Sequence, residues 1–477
     1  MTTPSVAPEP VTTAPRPRPT PRWAWVITGL LVIFQIINFA DKAVLGLVAG
    51  PAMRDLQLTA GEFGRIGSAF FLLFAVSSIA VGFIAGKVST RWILLVMGVS
   101  WAVIQFPILL GGGAAVLLVG RILLGAAEGP ATPISLQHVH GWFPAAERGL
   151  PSSLVAVGST LGPVIAAPIL AAIIASPTWG WRWAFGFLGI VGVVWSLLWL
   201  LLGRDGSFSH TAARKDADSA PAEAQPQLDP DELAAATSIA PHSDLLGVVP
   251  IGRVIGSRMF LVAIFAGAGC FWTQGFLTTW SPKYLGAVVS LSPEMIGLVS
   301  TFPWLIGAGV LLVLGYASRV LMRRGVTVRW ALGALFAGTL LCAGACFLIL
   351  PHVGGWLAVA VMTVGAGMAM TFPLAPTAVA FSVGSRQRAA VMATLTGFAS
   401  IGGVIAPTMV GMLMDRAGYA PAPKGMAETA EMAARLASGM NSAFLLIGVY
   451  LLVVGGLSLL LLNPDRTAQR LQAKFRW

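Results

Sequence analysis

Two acidic residues, Asp41 and Glu128, lie deep inside apolar stretches, and each has a cation near it in the chain. Asp41 precedes Lys42 in Ile36-Ile37-Asn38-Phe39-Ala40-Asp41-Lys42, and Glu128 lies one heptad after Arg121. A charge near the centre of a bilayer is costly, so it usually faces a water-filled path and serves transport. Helical spacing puts Gln35, Asn38 and Lys42 on one polar stripe, with Asp41 three residues after Asn38 and Gly46 and Gly50 further along. Arg121, Gly125 and Glu128 form a second stripe that continues to Thr132 and Ser135. Two such stripes can line a common path. Their chemistry would be proton coupling: an anion that competes for Lys42 or Arg121 leaves a carboxylate short of its cation and favours its protonation. A static ion pair that merely locks helices is the bland alternative, and buried pairs are poor stabilisers.

The elements that must position these residues follow from composition. The chain has 477 residues, 56% hydrophobic and only 10% charged. A soluble domain carries roughly 25% charged residues, so most of this chain is expected in lipid, where helices or closed barrels satisfy the backbone. The apolar runs are continuous over about twenty residues, which fits spanning helices rather than alternating barrel strands. Twelve runs are expected, the first over 23–49 and the last over 441–462. They arrange as a disordered cytoplasmic tail (1–22), a six-helix bundle (23–203), a polar cytoplasmic linker (204–256), a second six-helix bundle (257–462) and a basic cytoplasmic tail (463–477).

The net charge of +11 does not indicate nucleic acid, because the cations collect between apolar runs. With the N-terminus cytoplasmic, 21 of the 30 Lys and Arg residues fall on the inner side, and six on the outer. That bias predicts both termini in the cytoplasm. Cys270, Cys342 and Cys346 all lie in apolar runs and read as packing residues. The halves match at an offset of 233: Leu58-Thr59 with Leu291-Ser292, Gly64 with Gly297, Gly82 with Gly315 and Arg91 with Arg324. Paired six-helix repeats around a central site are the architecture of the major facilitator superfamily.

Softer features complete the reading. Gly158-Ser-Thr-Leu-Gly162-Pro163 reads as close helix packing, and it also resembles the antiporter motif of drug exporters. Gln274, Thr371, Thr396 and Ser400 would bond a substrate or their own helix. Trp280, Trp304 and Trp356 read as interfacial anchors, and His138 and His140 as solvated loop residues. No phosphate-binding loop and no nucleophile–base or metal-ligand constellation is present, which argues against an ATPase or an enzyme.

Five motifs carry a resemblance. They are Asn38-Phe39-Ala40-Asp41-Lys42, Arg121-x-x-x-Gly125-x-x-Glu128-Gly129, Trp142-Phe143-Pro144-x-x-Glu147-Arg148-Gly149, Trp181-Arg182-Trp183-x-Phe185, and Phe276-Leu277-Thr278-Thr279-Trp280-x-Pro282-x-Tyr284-Leu285. In this order the chain resembles the anion:cation symporter family, which includes galactonate, glucarate, hexuronate, tartrate and phthalate permeases. The resemblance implies proton- or sodium-driven uptake of organic anions, with Asp41 and Glu128 taking protons and Arg121 and Lys42 managing the substrate carboxylate. It adds gating roles for Gly82, Lys87, Arg91, Arg148, Gly315 and Arg324. Two departures stand out. The loop Gly82-x-x-x-Gly86-Lys87 lacks the family's aspartate, and Thr396 stands where an asparagine often meets sugar-acid hydroxyls.

The expectation is therefore an all-α integral membrane protein with twelve transmembrane helices in two pseudo-symmetric six-helix bundles. It would be a monomeric proton symporter of the inner (plasma) membrane, without cofactor. It would import a small organic anion, a sugar acid or an aromatic or other carboxylate, bound by Lys42, Arg121, Asn38, Gln35, Gln274, Thr396 and Ser400. Proton-coupled export of drugs or metabolites is the alternative, and a transporter-like sensor a more distant one.

Overall fold

The computed structural model describes residues 22–84, 88–144, 147–207, 249–423, 426 and 428–473. The expected N-terminal tail, the centre of the linker, Lys87 and the last four residues lie outside them. Twelve helices among the described residues are long and apolar enough to cross a membrane. They are α1 (Arg22–Leu56), α2 (Ala60–Ile84), α3 (Thr90–Leu109), α4 (Ala114–His140), α5 (Gly149–Ala175) and α6 (Gly180–Leu202) in the first half. The second half holds α7 (Arg258–Thr279), α8 (Pro293–Arg323), α9 (Arg329–His352), α10 (Gly355–Ala380), α11 (Ala390–Arg416) and α12 (Ala430–Leu461). No strand occurs among the described residues.

Local signals set the ends. Thr59 and Glu62 form a reciprocal capping box at the start of α2: Glu62 accepts from Thr59 N–H at 2.9 Å, and Thr59 accepts from Glu62 N–H at 3.2 Å. Ser89 and Thr429 cap α3 and α12 through their hydroxyls. The last span starts at Ala430, well before the start at 441 expected from the apolar run. The expected C-terminal tail likewise forms a helix, Pro464–Ala473, with Asn463 accepting from Arg466 N–H at its start.

Several spans are interrupted. Pro130 has no N–H to donate, and α4 breaks between Glu128 and Ala131. Helix α10 breaks over 370–373 around Phe372-Pro373. Irregular backbone at membrane depth is tolerated where it lines a cavity, and Gly129, Met370, Phe372 and Pro373 all line one.

The two halves meet along α2 against α11, α1 against α7, and α5 against α8. Small residues allow the approach. A Cβ on Gly64 would lie 2.3 Å from Pro407 O, and one on Gly411 2.3 Å from Ala60 O. Gly46, placed on the polar stripe by spacing, instead packs on Thr278 O, where a Cβ would sit at 2.8 Å. Gly158 and Gly162 press against the α1 backbone at Val32 O and Ile36 O, each at 2.7 Å from an added Cβ. Packing therefore accounts for the pattern that resembled an exporter motif.

Candidate functional site

A cavity of about 1110 Å³ lies between the two halves. It opens at the end that carries the α2–α3 and α4–α5 connections, where Ser89, Thr90, Gln137, His140 and Arg148 line it. At its depth, α1 and α4 bring together Asn38, Lys42, Glu128 and Thr132, which face Gln274 and Thr396 of the other half.

The four charged residues meet, but in pairs different from those suggested by adjacency. Lys42 Nζ lies 2.9 Å from Glu128 Oε2, with both side chains almost wholly buried. It also donates to Asn38 Oδ1 at 2.5 Å and sits 4.1 Å from the centroid of Phe39. Lys42 is the cation nearest Glu128, and Arg121 is a second buried cation that acts on it. Asp41 turns the other way. Its carboxylate accepts from Gln105 Nε2 of α3 at 2.8 Å, and it does not line the cavity. Arg121 donates to the Asp41 backbone carbonyl at 3.2 Å and faces the Phe185 ring at 5.8 Å, leaving Nη2 without a partner among the described residues.

Other sequence expectations divide in the same way. Gln35 is buried behind the cavity and donates to Thr132 Oγ1 at 3.0 Å. Ser400 is buried and bonds back to Gly397 O, so it is not a lining residue. Thr371 bonds to Met368 O and Thr339. Trp280 is not an interfacial anchor: it is fully buried and its Nε1 donates to Pro407 O across the two α7–α11 elements at 2.9 Å. Trp304 is also internal, lining the cavity beside Phe39, whereas Trp356 is exposed to the surroundings. His138 is not a solvated loop residue. It is buried at the end of α4, 2.7 Å from Thr90 Oγ1 and stacked edge-on with Trp199. His140 contacts Ser152 Oγ at 2.8 Å.

Among the proposed gating residues, Arg148 reaches the cavity mouth and donates to Phe143 O. Arg91 donates to Leu200 O within its own half. Arg324 ends α8, and a Cβ on Gly315 would meet open space. Gly82 lies within α2, but its surroundings are not among the described features.

Sequence reasoning missed Gln105, although it is the polar residue that faces Asp41, and it missed the latch at the closed end. There Asp415, at the end of α11, accepts from Ala60 N–H at 3.1 Å and Gly61 N–H at 2.9 Å, the first amides of α2. An anion at a helix N-terminus is favourable. Ser68 and Thr408 bond at 2.7 Å below it. Nearby, Lys283 pairs with Glu428, which also accepts from Tyr419 Oη at 2.7 Å. Burial lowers Lys283 from the usual lysine range, and Glu428 opposes that shift.

Two predictions follow from this geometry. Asp415→Ala removes a cap worth about 1–2 kcal/mol, which corresponds to an opening population raised by about five- to thirtyfold. Labelling of a Ser68→Cys variant by a thiol reagent in detergent should accelerate to match, and an unchanged rate would refute the latch. Gln105→Leu leaves the Asp41 carboxylate without its side-chain donor, at a cost of about 1–3 kcal/mol. The melting temperature should fall measurably, whereas Gln105→Asn should recover part of the loss.

Comparisons with known proteins bear on the fold and the family. The family model described as Major Facilitator Superfamily matches residues 31–407. The hexuronate transporter of Bacillus subtilis is 25% identical, covering 81% of this chain and 87% of its own. A protein named "Probable sulfoacetate transporter" from Cupriavidus necator is 26% identical, covering 92% and 94%. Among solved structures, a bacterial homologue of the human lysosomal transporter Spinster, inward-facing and unoccupied, superposes with a TM-score of 0.72 at 18% identity, over 96% of this chain and 99% of that one. At 12% identity, the D-xylose-proton symporter gives 0.65 over 91% and 97%.

Proposed function

The chain belongs to the Major Facilitator Superfamily of multi-pass membrane transporters, and from that premise we propose that it imports a small organic anion together with protons by alternating access. The observation that carries this reading is the buried Lys42–Glu128 pair on the cavity wall. An incoming carboxylate that shares Lys42 brings a third anion to the cluster of Lys42, Arg121, Asp41 and Glu128 in a low-dielectric site, where a proton on Glu128 restores balance. Anion and proton binding then favour each other. The names of the relatives, hexuronate and sulfoacetate transporters, support an anionic cargo.

In this reading Lys42 and Asn38 hold the carboxylate, Glu128 exchanges the proton, and Gln274 and Thr396 complete the site from the second half. Arg121 acts behind the site by fixing the α1 backbone at Asp41. Asp41 is the second candidate proton site, reached through α3 rather than through the cavity. The inner-side charge bias makes the open end cytoplasmic, so the conformation is inward-open. The proton gradient is the driving force, the protein acts as a monomer in the plasma membrane, and no cofactor takes part.

The test is uptake into proteoliposomes, counted against protein-free vesicles, with an imposed proton gradient and a panel of radiolabelled organic acids. Accumulation of one acid that a protonophore abolishes is the expected result. Efflux of preloaded solute driven by the same gradient would replace symport with antiport.

A further inference from the structure

The cavity is chemically two-sided. Among the described residues, the charged side chains lining it come from the first half: Lys42, Glu128 and Arg148, together with Asn38, Thr132 and Thr160. Among the described residues the facing wall, built by α7, α8, α10 and α11, has no charge, and its hydrogen-bonding side chains are Gln274, Thr396, the Trp304 indole N–H and the Cys270 thiol. Thr396 already donates its hydroxyl proton to Met392 O at 2.9 Å. The rest of that wall is aromatic, sulfur-bearing or small. Trp304 stands edge-on to Phe39 at 5.9 Å, Phe271 stands edge-on to Phe372 at 5.3 Å, and Met370 and Met392 fill between.

Such a wall discriminates by what it fails to offer. A sugar acid carries hydroxyls around its whole body. Each hydroxyl buried against this wall without a partner gives up its hydrogen bonds to water uncompensated, and Gln274 can satisfy few of them. A flat apolar body loses nothing there and gains from burial and from edge-to-face contact with the rings. Spacing suits the same shape. Phe39 is shared by the anchor and the aromatic residues, with the Lys42 ammonium 4.1 Å and the Trp304 ring 5.9 Å from its centroid. Ala308 and Ala369, two small residues, line the cavity with Trp304.

We propose that the substrate is an aromatic carboxylate, its carboxylate on Lys42 and its ring in the slot formed by Phe39, Trp304, Phe271 and Phe372. The assignment rests on the organic-anion reading above and narrows it. It departs from the sugar-acid name of the hexuronate relative.

Calorimetric titration of the purified protein at neutral pH tests it, because binding avoids the passive leak of aromatic acids across vesicles. The panel is benzoate, 3-phenylpropionate, cyclohexanecarboxylate, glucuronate, galactonate and sulfoacetate. The expected result is an aromatic acid bound at least tenfold tighter than either sugar acid, with that advantage lost in Trp304→Leu. Tighter binding of a sugar acid or of sulfoacetate would overturn the aromatic assignment and leave the organic-anion reading standing. Equal binding of cyclohexanecarboxylate would overturn the need for an aromatic ring. Binding of none of the six would overturn the organic-anion reading itself, and this inference with it. Wild-type selectivity decides the matter even if the Trp304 variant does not fold.

Discussion

Glu128→Gln should abolish gradient-driven accumulation, to less than about a tenth of wild type, while exchange of labelled for unlabelled substrate persists. The argument is one of charge. Glu128 has Lys42 at 2.9 Å as its nearest cation, and Arg121 and Asp41 complete a buried cluster of two cations and two anions. A substrate carboxylate placed on Lys42 therefore adds a third anion to two cations, unless Glu128 takes a proton. Glutamine imitates the protonated form permanently: it keeps the shape, leaves Lys42 free for the anion and has no proton to exchange. Binding should survive or tighten, and coupling should not. Losing one member of a buried pair costs about 3–5 kcal/mol when the other charge is left unpaired, so the thermal midpoint should drop without substrate and recover on its addition. A variant that still accumulates substrate against a gradient would remove Glu128 from the coupling step. A static structural pair predicts a different result, with binding, exchange and accumulation lost together.

How much of this was legible in the chain varied with the range of the interaction. Spanning helices were legible because each apolar run is contiguous, so the count of twelve needed no tertiary information. The start of α12 was not, because Ala430–Ala437 includes Glu431 and Arg435 and looks like loop to a hydropathy window, although Thr429 caps it and the two charges pair. The four buried charges were found from type and spacing. Their pairing was left open by the sequence, because neighbours on a helix point about 100° apart: Lys42 turns to the cavity and Asp41 turns to Gln105. Trp280 and His138 were read as boundary residues from their places near helix ends, yet cross-helix bonds to Pro407 O and Thr90 bury them. The Asp415 latch joins residues about 355 positions apart, and no local pattern announces it.

Gly64→Val should stop transport by keeping the closed end from closing. Helices α2 and α11 cross there with their backbones in contact. A Cβ on Gly64 would stand 2.3 Å from Pro407 O, 2.9 Å from its carbonyl carbon and 3.0 Å from Thr408 Cα. All three are backbone atoms of a helix and cannot swing aside as a side chain does. Overpacking of this kind costs about 1–3 kcal/mol or more, a population shift of about fivefold to 150-fold away from the state with this end closed. That cost falls on the contact between the halves and spares the interior of each, so the purified variant should remain folded and monodisperse. Uptake should fall to background while thiol labelling of Ser68→Cys becomes fast. Gly309→Val is the control, because a Cβ there meets nothing within 4 Å, and its transport should match wild type. Normal uptake by Gly64→Val would mean that the α2–α11 contact does not have to form in the cycle. Loss in both variants would point to general damage from valine. Loss in Gly64→Val alone would tie transport to the approach of these two helices, the step that the proposed alternating access requires of the closed end.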